Sequence, residues 1–328
     1  MSGSPDVLVV GAGVFGLSVA RACLGAGLSV TVAERGAPGA GASGGLVGAL
    51  APHAPEEWDP LKAFQLAALA SLPDHVRVLE AETGRATGHA RSGRLQPLAS
   101  EAARARAEAR VRAAAARWAG LAEMRVLDRV PEAASALLPA EACPHGVAWD
   151  GLTARIAPRA YIGALAASAR ARGGEIRAGW TAEAIGEGGA TFDRGRIAAG
   201  HVVIAAGAES FALAEEEGGG MKGQAALLSA RLPEAAPVIT VPGLYVVRQG
   251  PERVAVGSTA ERTWAHMEPD AALDAVIAKA RALSPALAGA PVVERWAGLR
   301  PRAPDGRPRL GPLPGRPGLI LATGGFRI

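Results

Sequence analysis

The amino-acid sequence predicts a mixed fold, α/β plus α+β, in which one parallel-sheet domain is assembled from distant segments and an antiparallel-sheet domain fills the gaps. Three observations predict it. Apolar runs ending in glycine stand far apart in the chain: Val7-Leu8-Val9-Val10 before Gly11, Val202-Val203-Ile204-Ala205-Ala206 before Gly207, and Leu319-Ile320-Leu321-Ala322-Thr323 before Gly324. Continuous apolar runs suit strands covered on both faces, as in a parallel sheet. Between them lie helices and antiparallel-looking hairpins, with no internal repeat and no regular strand–helix alternation.

The first thirty-odd residues carry the most specific motif. Gly11-x-Gly13-x-x-Gly16 follows the first strand and opens a helical run, and Glu34 ends the next apolar run 18 positions after Gly16. Gly11 allows a tight turn, Gly13 lets backbone approach a pyrophosphate, and Gly16 lets the helix pack closely on the sheet. Amides at the N-terminus of that helix attract a diphosphate without a basic side chain. The Glu34 carboxylate suits ribose hydroxyls and repels a 2′-phosphate, which argues against NADP. At this point both NAD and FAD remain open.

Composition narrows the class. Over 328 residues, hydrophobic content of 49% and charged content of 20% are those of a globular protein able to bury a large core, not of a disordered one. No apolar run approaches the ~20 residues of a membrane helix. The start, Met1-Ser2-Gly3-Ser4-Pro5, lacks the basic region of a secretion signal, so a cytoplasmic location is the default expectation. Two cysteines cannot build a disulfide framework, and the six histidines show no zinc-ligand spacing, so no metal is expected. Net charge is only +4, with three lysines and scattered arginines, so no nucleic-acid surface is expected. Oligomeric state is left open.

In chain order, Arg35 to Leu50 is a long stretch of small residues that can lie against a flat, bulky ligand. Asp59 caps a helix beginning at Pro60 and running to Arg77. A short strand covers Gly93–Leu98, and an Ala/Arg/Glu-rich helix with a solvated charged face spans 101–119. Residues 126–142 read as loop and short helix. A helix after Pro158 stops at Gly173, and strands follow near 175–177, 190–192 and 195–197. The β section from Met221 continues through 244–248 and 253–258, an amphipathic helix spans 270–283, and a strand covers 292–300. A dinucleotide domain built from distant strands is more typical of flavoproteins than of NAD dehydrogenases.

Taken together, these residues resemble the D-amino-acid oxidase family of flavoproteins, most nearly its bacterial glycine oxidase and sarcosine oxidase branch. The matching blocks are Gly11 to Gly16 with Glu34-Arg35, Gly41-Ala42-Ser43-Gly44-Gly45-x-x-Gly48, Val202 to Ala208, Lys222-Gly223-Gln224, and Tyr245 on its strand. They end with Gly298-Leu299-Arg300-Pro301-x-x-x-Asp305-Gly306-x-Pro308, then Gly311-Pro312 and Ala322-Thr323-Gly324. The blocks cover nearly the whole chain in family order. The resemblance implies noncovalent FAD, because neither Cys23 nor Cys143 is placed for covalent attachment. It also implies an FAD-binding Rossmann-like domain made of residues 1–85, 146–222 and 298–328. An antiparallel-sheet substrate domain is then made of residues 86–145 and 223–297.

Carried over residue by residue, the cofactor would be held by Gly11, Gly13, Val14, Phe15, Gly16, Glu34, Arg35, Ala42, Ser43, Leu46, Val47, Gly48, Ala206, Gly207, Gly324, Gly325 and Phe326. The substrate would be held by Arg300, Tyr245 and Arg327. A planar, permanently charged arginine can grip a carboxylate bidentately and hold Cα over the flavin. His53 and Glu56-Glu57 read as a solvated loop or the rim of the site. The implied reaction is oxidation of the Cα–N bond of glycine, sarcosine or a D-amino acid by hydride transfer to the flavin. The product is an imino acid and, with oxygen rather than another electron acceptor, hydrogen peroxide. The family continues past the position of Ile328 with a glycine and a helix facing the flavin's pyrimidine edge; in a chain ending there, weaker FAD binding or slower reduction is expected. Two alternatives stay open: a flavin oxidase acting on a modified transfer-RNA nucleoside, and a cofactor-binding member without turnover.

Overall fold

The computed structural model describes residues 3–326. Its six-stranded sheet runs in the order Arg309–Pro312, Leu319–Thr323, His201–Ile204, Val7–Val10, Val30–Glu34, Glu175–Ala178. All neighbours are parallel except the outermost pair, Arg309–Pro312 against Leu319–Thr323. The three glycine-terminated runs are thus adjacent in space, with Val7 registered against both His201 and Val30.

Alternation explains why these strands are apolar throughout. Val7, Val9, Val30, Val32 and Val203 face Leu17 and Ala20 of helix Val14–Gly25, Leu79 of helix Pro60–Thr83, and Ile162 and Leu165 of helix Pro158–Ala171. Leu8, Val10, Val202 and Ile204 face the other way, onto Ala190, Phe192 and Ile197 of a three-stranded antiparallel sheet. Neither face meets water, as parallel sheets require.

The second large sheet has eight strands, ordered Val292–Arg302, Gly219–Ser229, Arg253–Gly257, Leu244–Gly250, Val238–Val241, Arg94–Pro97, Val147–Asp150, Met124–Leu127. It is antiparallel apart from the Val238–Val241 and Arg94–Pro97 pair. Helix Ala271–Leu283 covers one face through Leu273, Val276, Ile277 and Ala280, packed on Ala226, Leu228, Val246, Val254 and Val256. The opposite face receives Leu46 and Val47 from the small-residue stretch, against Ala225, Leu227 and Ala255.

Local expectations held where capping chemistry was explicit. Asp59 accepts from the Lys62 amide with Pro60 in the first turn, as expected; Ser100 and Asp270, which carried no such expectation, cap Glu101–Arg117 and Ala271–Leu283 in the same way. Differences lie in the short elements. Part of 126–142 is strand, Met124–Leu127, followed by short 3₁₀ turns, and the strands Val147–Asp150, Val238–Val241 and Ala182–Gly186 carry no alternation a reader could find. The helix from Pro60 continues beyond Arg77 to Thr83 and stops at Gly84, whose φ of 65° ends it in the left-handed conformation. No helix among the described residues is long and apolar enough to cross a membrane.

Candidate active site

The parallel strands all end at one edge, where Gly11, Arg35, Gly207 and Gly324 follow their carboxyl ends. Open α/β sheets bind ligands at this edge. Contact distances explain the glycines. A Cβ on Gly11, whose φ is +107°, would lie 2.3 Å from the Ala205 carbonyl oxygen, and one on Gly16 would lie 1.9 Å from the Gly11 carbonyl oxygen. Gly13 differs: a Cβ there would meet only the Ser43 side chain, so its missing side chain leaves space above the helix N-terminus.

Side chains from the next segments close this cradle. Glu34 Oε2 accepts from the Ala12 amide at 2.7 Å and Oε1 from the Gly36 amide at 2.8 Å, which fixes the carboxylate beside the glycine turn. Ser43, in the 3₁₀ turn Ala42–Gly44, accepts from the Val14 amide at 3.0 Å. Phe15 and Gly16, in the first turn, have no acceptor one turn earlier and present their amides to an anion. Thr323 Oγ1 donates to the Gly207 carbonyl at 2.6 Å, and a Cβ on Gly325 would lie 2.7 Å from the Phe15 ring, so the last strand folds over the same edge. Phe326 stacks under the Arg302 guanidinium at 5.7 Å, and Ala206 packs at the end of its strand. Arg35 points outward to Glu209 at 2.7 Å, both well exposed. Backbone amides aimed into a space that no Cβ fills, with a carboxylate 22 residues from Ala12 in sequence at its edge, fit a diphosphate joined to a ribose.

The face of the eight-stranded sheet that meets Leu46 and Val47 carries the second group. Cross-strand register puts Trp296 opposite Ala225, Ala225 opposite Gly257, and Gly257 opposite Tyr245. Two residues along, Gly298 pairs with Gly223, and Arg300 pairs with Met221. Glycine here makes room for neighbouring side chains. A Cβ on Gly223 would lie 2.3 Å from Arg300 Nη2, and one on Gly298 would lie 2.3 Å from the Trp296 ring. Trp296 also reaches the cofactor-side loop, since a Cβ on Gly45 would lie 3.2 Å from it. Gln249 Nε2 donates to the Val47 carbonyl and, at 3.2 Å, to that of Ile156, which ties Val47 to the sheet. Gly48, at φ +58°, passes directly over the Ile156 carbonyl.

Arg300 is half-buried on this floor. Nη2 donates to Ser258 Oγ at 2.7 Å and to the Thr259 carbonyl at 3.0 Å, while no acceptor among the described residues holds its other two nitrogens. Burial pulls the guanidinium below its ordinary value, and the nearby Glu261 carboxylate only partly offsets it. It stays charged throughout the physiological range. Tyr245 is partly buried against Val47 and the Ala49 cluster. Arg327, the remaining residue assigned to the substrate, lies outside the described residues.

Sequence reasoning assigned no role to Trp296, Ser258, Thr259 or the polar residues behind them. Lys222 and Gln224 are completely buried on the opposite face of their strand, where Lys222 Nζ meets Asp270 Oδ2 at 2.6 Å. Gln224 Nε2 donates to Glu261 at 2.9 Å and to Asp270 at 2.8 Å. These bonds, led by that from Lys222, hold the Asp270 carboxyl far below the usual carboxylate range. The available signal was Lys222-Gly223-Gln224 itself, two polar residues flanking a glycine in an otherwise apolar strand.

Comparison with known proteins agrees with this geometry. The family described as FAD dependent oxidoreductase (DAO) matches residues 6–327. A glycine oxidase of Pseudomonas aeruginosa is 32% identical, over 99% of this chain and 90% of its own length. A glycine oxidase of Pseudomonas putida is 38% identical over a shorter stretch, 40% of this chain and 38% of that protein. The crystal structure of glycine oxidase from Geobacillus kaustophilus superposes with a TM-score of 0.88 at 25% identity, covering 98% of this chain and 90% of that one. The chain therefore belongs to the DAO family of FAD-dependent oxidoreductases.

Proposed function

We propose that the protein oxidises the Cα–N bond of a small amino acid: glycine, sarcosine or a D-amino acid. The observation that carries this reading is Arg300, a half-buried guanidinium with one nitrogen committed to protein and two open, over the glycine floor of the sheet facing Leu46 and Val47. The open Nη1 can donate a charge-assisted hydrogen bond to a carboxylate while Nη2 stays fixed by Ser258 and Thr259. Glycine oxidases among the similar proteins support an amino acid as the substrate.

In this reading residues 1–85, 146–222 and 298–328 form the cofactor domain, and 86–145 and 223–297 the substrate domain. Phe15 and Gly16 offer amides to the pyrophosphate, Gly11 and Gly13 keep its space free of side chains, Val14 is tied to Ser43 beside it, and Glu34 accepts from the ribose. Leu46, Val47 and Gly48 line the ring system. Arg300 fixes the substrate carboxylate, and Tyr245 and Trp296 flank the amino acid; Arg327 is kept as a third substrate residue by the family resemblance alone. Little acid–base machinery is needed, because an amino acid bound with a neutral amine is already reactive. FAD, when bound, would supply the two-electron acceptor for a hydride from Cα; the imino acid would then hydrolyse in water, with oxygen as final acceptor giving hydrogen peroxide. The chain's contribution is orientation, water exclusion at the glycine floor, and charge complementarity at Arg300.

The test is anaerobic bleaching of the FAD-loaded protein with glycine, sarcosine, D-alanine, D-proline and L-proline. Bleaching by one or more, with peroxide formed on admitting air, is the expected outcome. A loaded protein that none of them bleaches would overturn the substrate class. Arg300→Ala should raise KM for the active substrate by roughly a hundredfold, as expected for losing a charge-assisted hydrogen bond together with the half-buried positive charge that faces the carboxylate.

A further inference from the structure

Arg300 is held from the side by a loop, and that loop is held from behind by the buried polar group. Thr259 joins the two. Its carbonyl accepts from Arg300 Nη2 at 3.0 Å. Its hydroxyl accepts from the Gln224 amide at 2.9 Å and donates to Glu261 Oε1. Glu261 in turn accepts from Gln224 Nε2 at 2.9 Å and exchanges backbone hydrogen bonds with Lys222 at 2.9 and 3.0 Å. Asp270 closes the group: its amide donates to Gln224 Oε1 at 2.8 Å, and its carboxylate receives Lys222 and caps helix Ala271–Leu283.

This arrangement is more than a buried ion pair. Strand alternation sends Lys222 and Gln224 to the face away from Arg300 while Gly223 between them supports the guanidinium, so one three-residue segment serves both faces. A lysine and a glutamine with no exposed surface are costly unless every polar atom is paired; here Asp270 receives Lys222, and Asp270 and Glu261 share the Gln224 side chain. The loop therefore cannot shift without breaking buried hydrogen bonds. Its fixed points, Ser258 Oγ and the Thr259 carbonyl, set the plane of the guanidinium.

We infer that Thr259 is a positioning residue for substrate binding, which locks Arg300 in the orientation that receives a carboxylate through its hydroxyl bonds to Gln224 and Glu261. This rests on the proposed carboxylate-binding role of Arg300. The chemistry recognised is a small carboxylate, so glycolate serves as a probe that requires no turnover.

The experiment titrates FAD-loaded protein with glycolate and follows the perturbation of flavin absorbance. Thr259→Val removes the hydroxyl at constant shape, Thr259→Ser restores it, and Ser258→Ala removes the direct bond to Nη2. Thr259→Val and Ser258→Ala should each weaken glycolate binding about tenfold, the loss expected for one hydrogen bond to a charged or buried group. Flavin content should match the parent, and Thr259→Ser should return the affinity. Ser258→Ala keeps the test decisive if Thr259→Val folds poorly. Parent-like glycolate affinity in both Thr259→Val and Ser258→Ala, with binding lost in Arg300→Ala, would overturn the inference alone. So would a Thr259→Ser variant as weak as Thr259→Val. Parent-like affinity in Arg300→Ala would instead overturn the carboxylate reading beneath it.

Discussion

The cofactor cradle and the Arg300 face are built from different materials. The cradle is backbone: glycines at the ends of parallel strands, amides of one helix, and two short side chains, Glu34 and Ser43, that bind backbone amides. The Arg300 face is side chain: an arginine and two aromatics standing on glycines, held by hydroxyls and a buried lysine–carboxylate group. Backbone sites are set by sterics, so a methyl group added at Gly11 or Gly16 meets a carbonyl oxygen at once. Side-chain sites are set by hydrogen bonds, and they weaken by degrees. In the reading proposed above, the cradle serves the cofactor shared by the family and the Arg300 face selects the substrate.

The sharpest way to break the comparison is Gly16→Ala. Its Cβ would overlap the Gly11 carbonyl and push the first helix off its strand, so the protein should lose FAD on purification and be destabilised by about 3 kcal/mol or more. Absorbance near 450 nm and a melting curve measure both; a yellow protein of normal stability would show that the cradle is less constrained than its contacts indicate. Next in size, Arg300→Lys keeps the charge but loses the fork. KM for the substrate should rise about tenfold, with FAD content unchanged. Loss of FAD in this variant would mean that the two regions are not separable.

A smaller effect tests the helices behind the cradle. Glu82, on the helix Pro60–Thr83, receives Arg172 at 2.6 Å and Arg21 at 2.9 Å, and these bonds hold its carboxyl down at about 2 against an ordinary value of 4.5. A depressed carboxyl adds stability that is present above its unfolded value and lost as pH falls through the folded one. The melting temperature of Glu82→Gln should therefore lie below the parent's at pH 6, with the gap closing between pH 4.5 and 2. A constant gap would assign the effect to packing. The smallest change is expected for Arg231→Ala, whose pair with Glu252 is largely exposed and remote from both regions. Stability should move by no more than about 0.5 kcal/mol, and kcat/KM should be unchanged.

The two regions were not equally legible in advance. Gly11 to Gly16 and Glu34 lie within one short segment, and a strand, a turn, a helix and an acid at fixed offsets follow from local chemistry. The floor of the Arg300 face brings together residues 223, 257, 298 and 245, whose neighbours in space are tens of residues away in the chain. Thr259 and Ser258 follow a strand in an unremarkable stretch, and only the folded loop turns a carbonyl and a hydroxyl toward Arg300. Short strands such as Val147–Asp150 and Val238–Val241 were invisible for the same reason: four residues carry too little periodicity, and their pairing depends on partners far away.

What the amino-acid sequence determined by itself is therefore the glycine cradle and its surroundings: three glycine-terminated apolar runs, the spacing to Glu34, and the cap at Asp59. Each rests on interactions within a few residues, where geometry follows from the chain itself. What only the tertiary structure decided is which side chains share a surface. Strand order placed Gly223 beneath Arg300 and Trp296 over Gly298, and alternation sent Lys222 and Gln224 behind them. Non-local register, not local propensity, made that face.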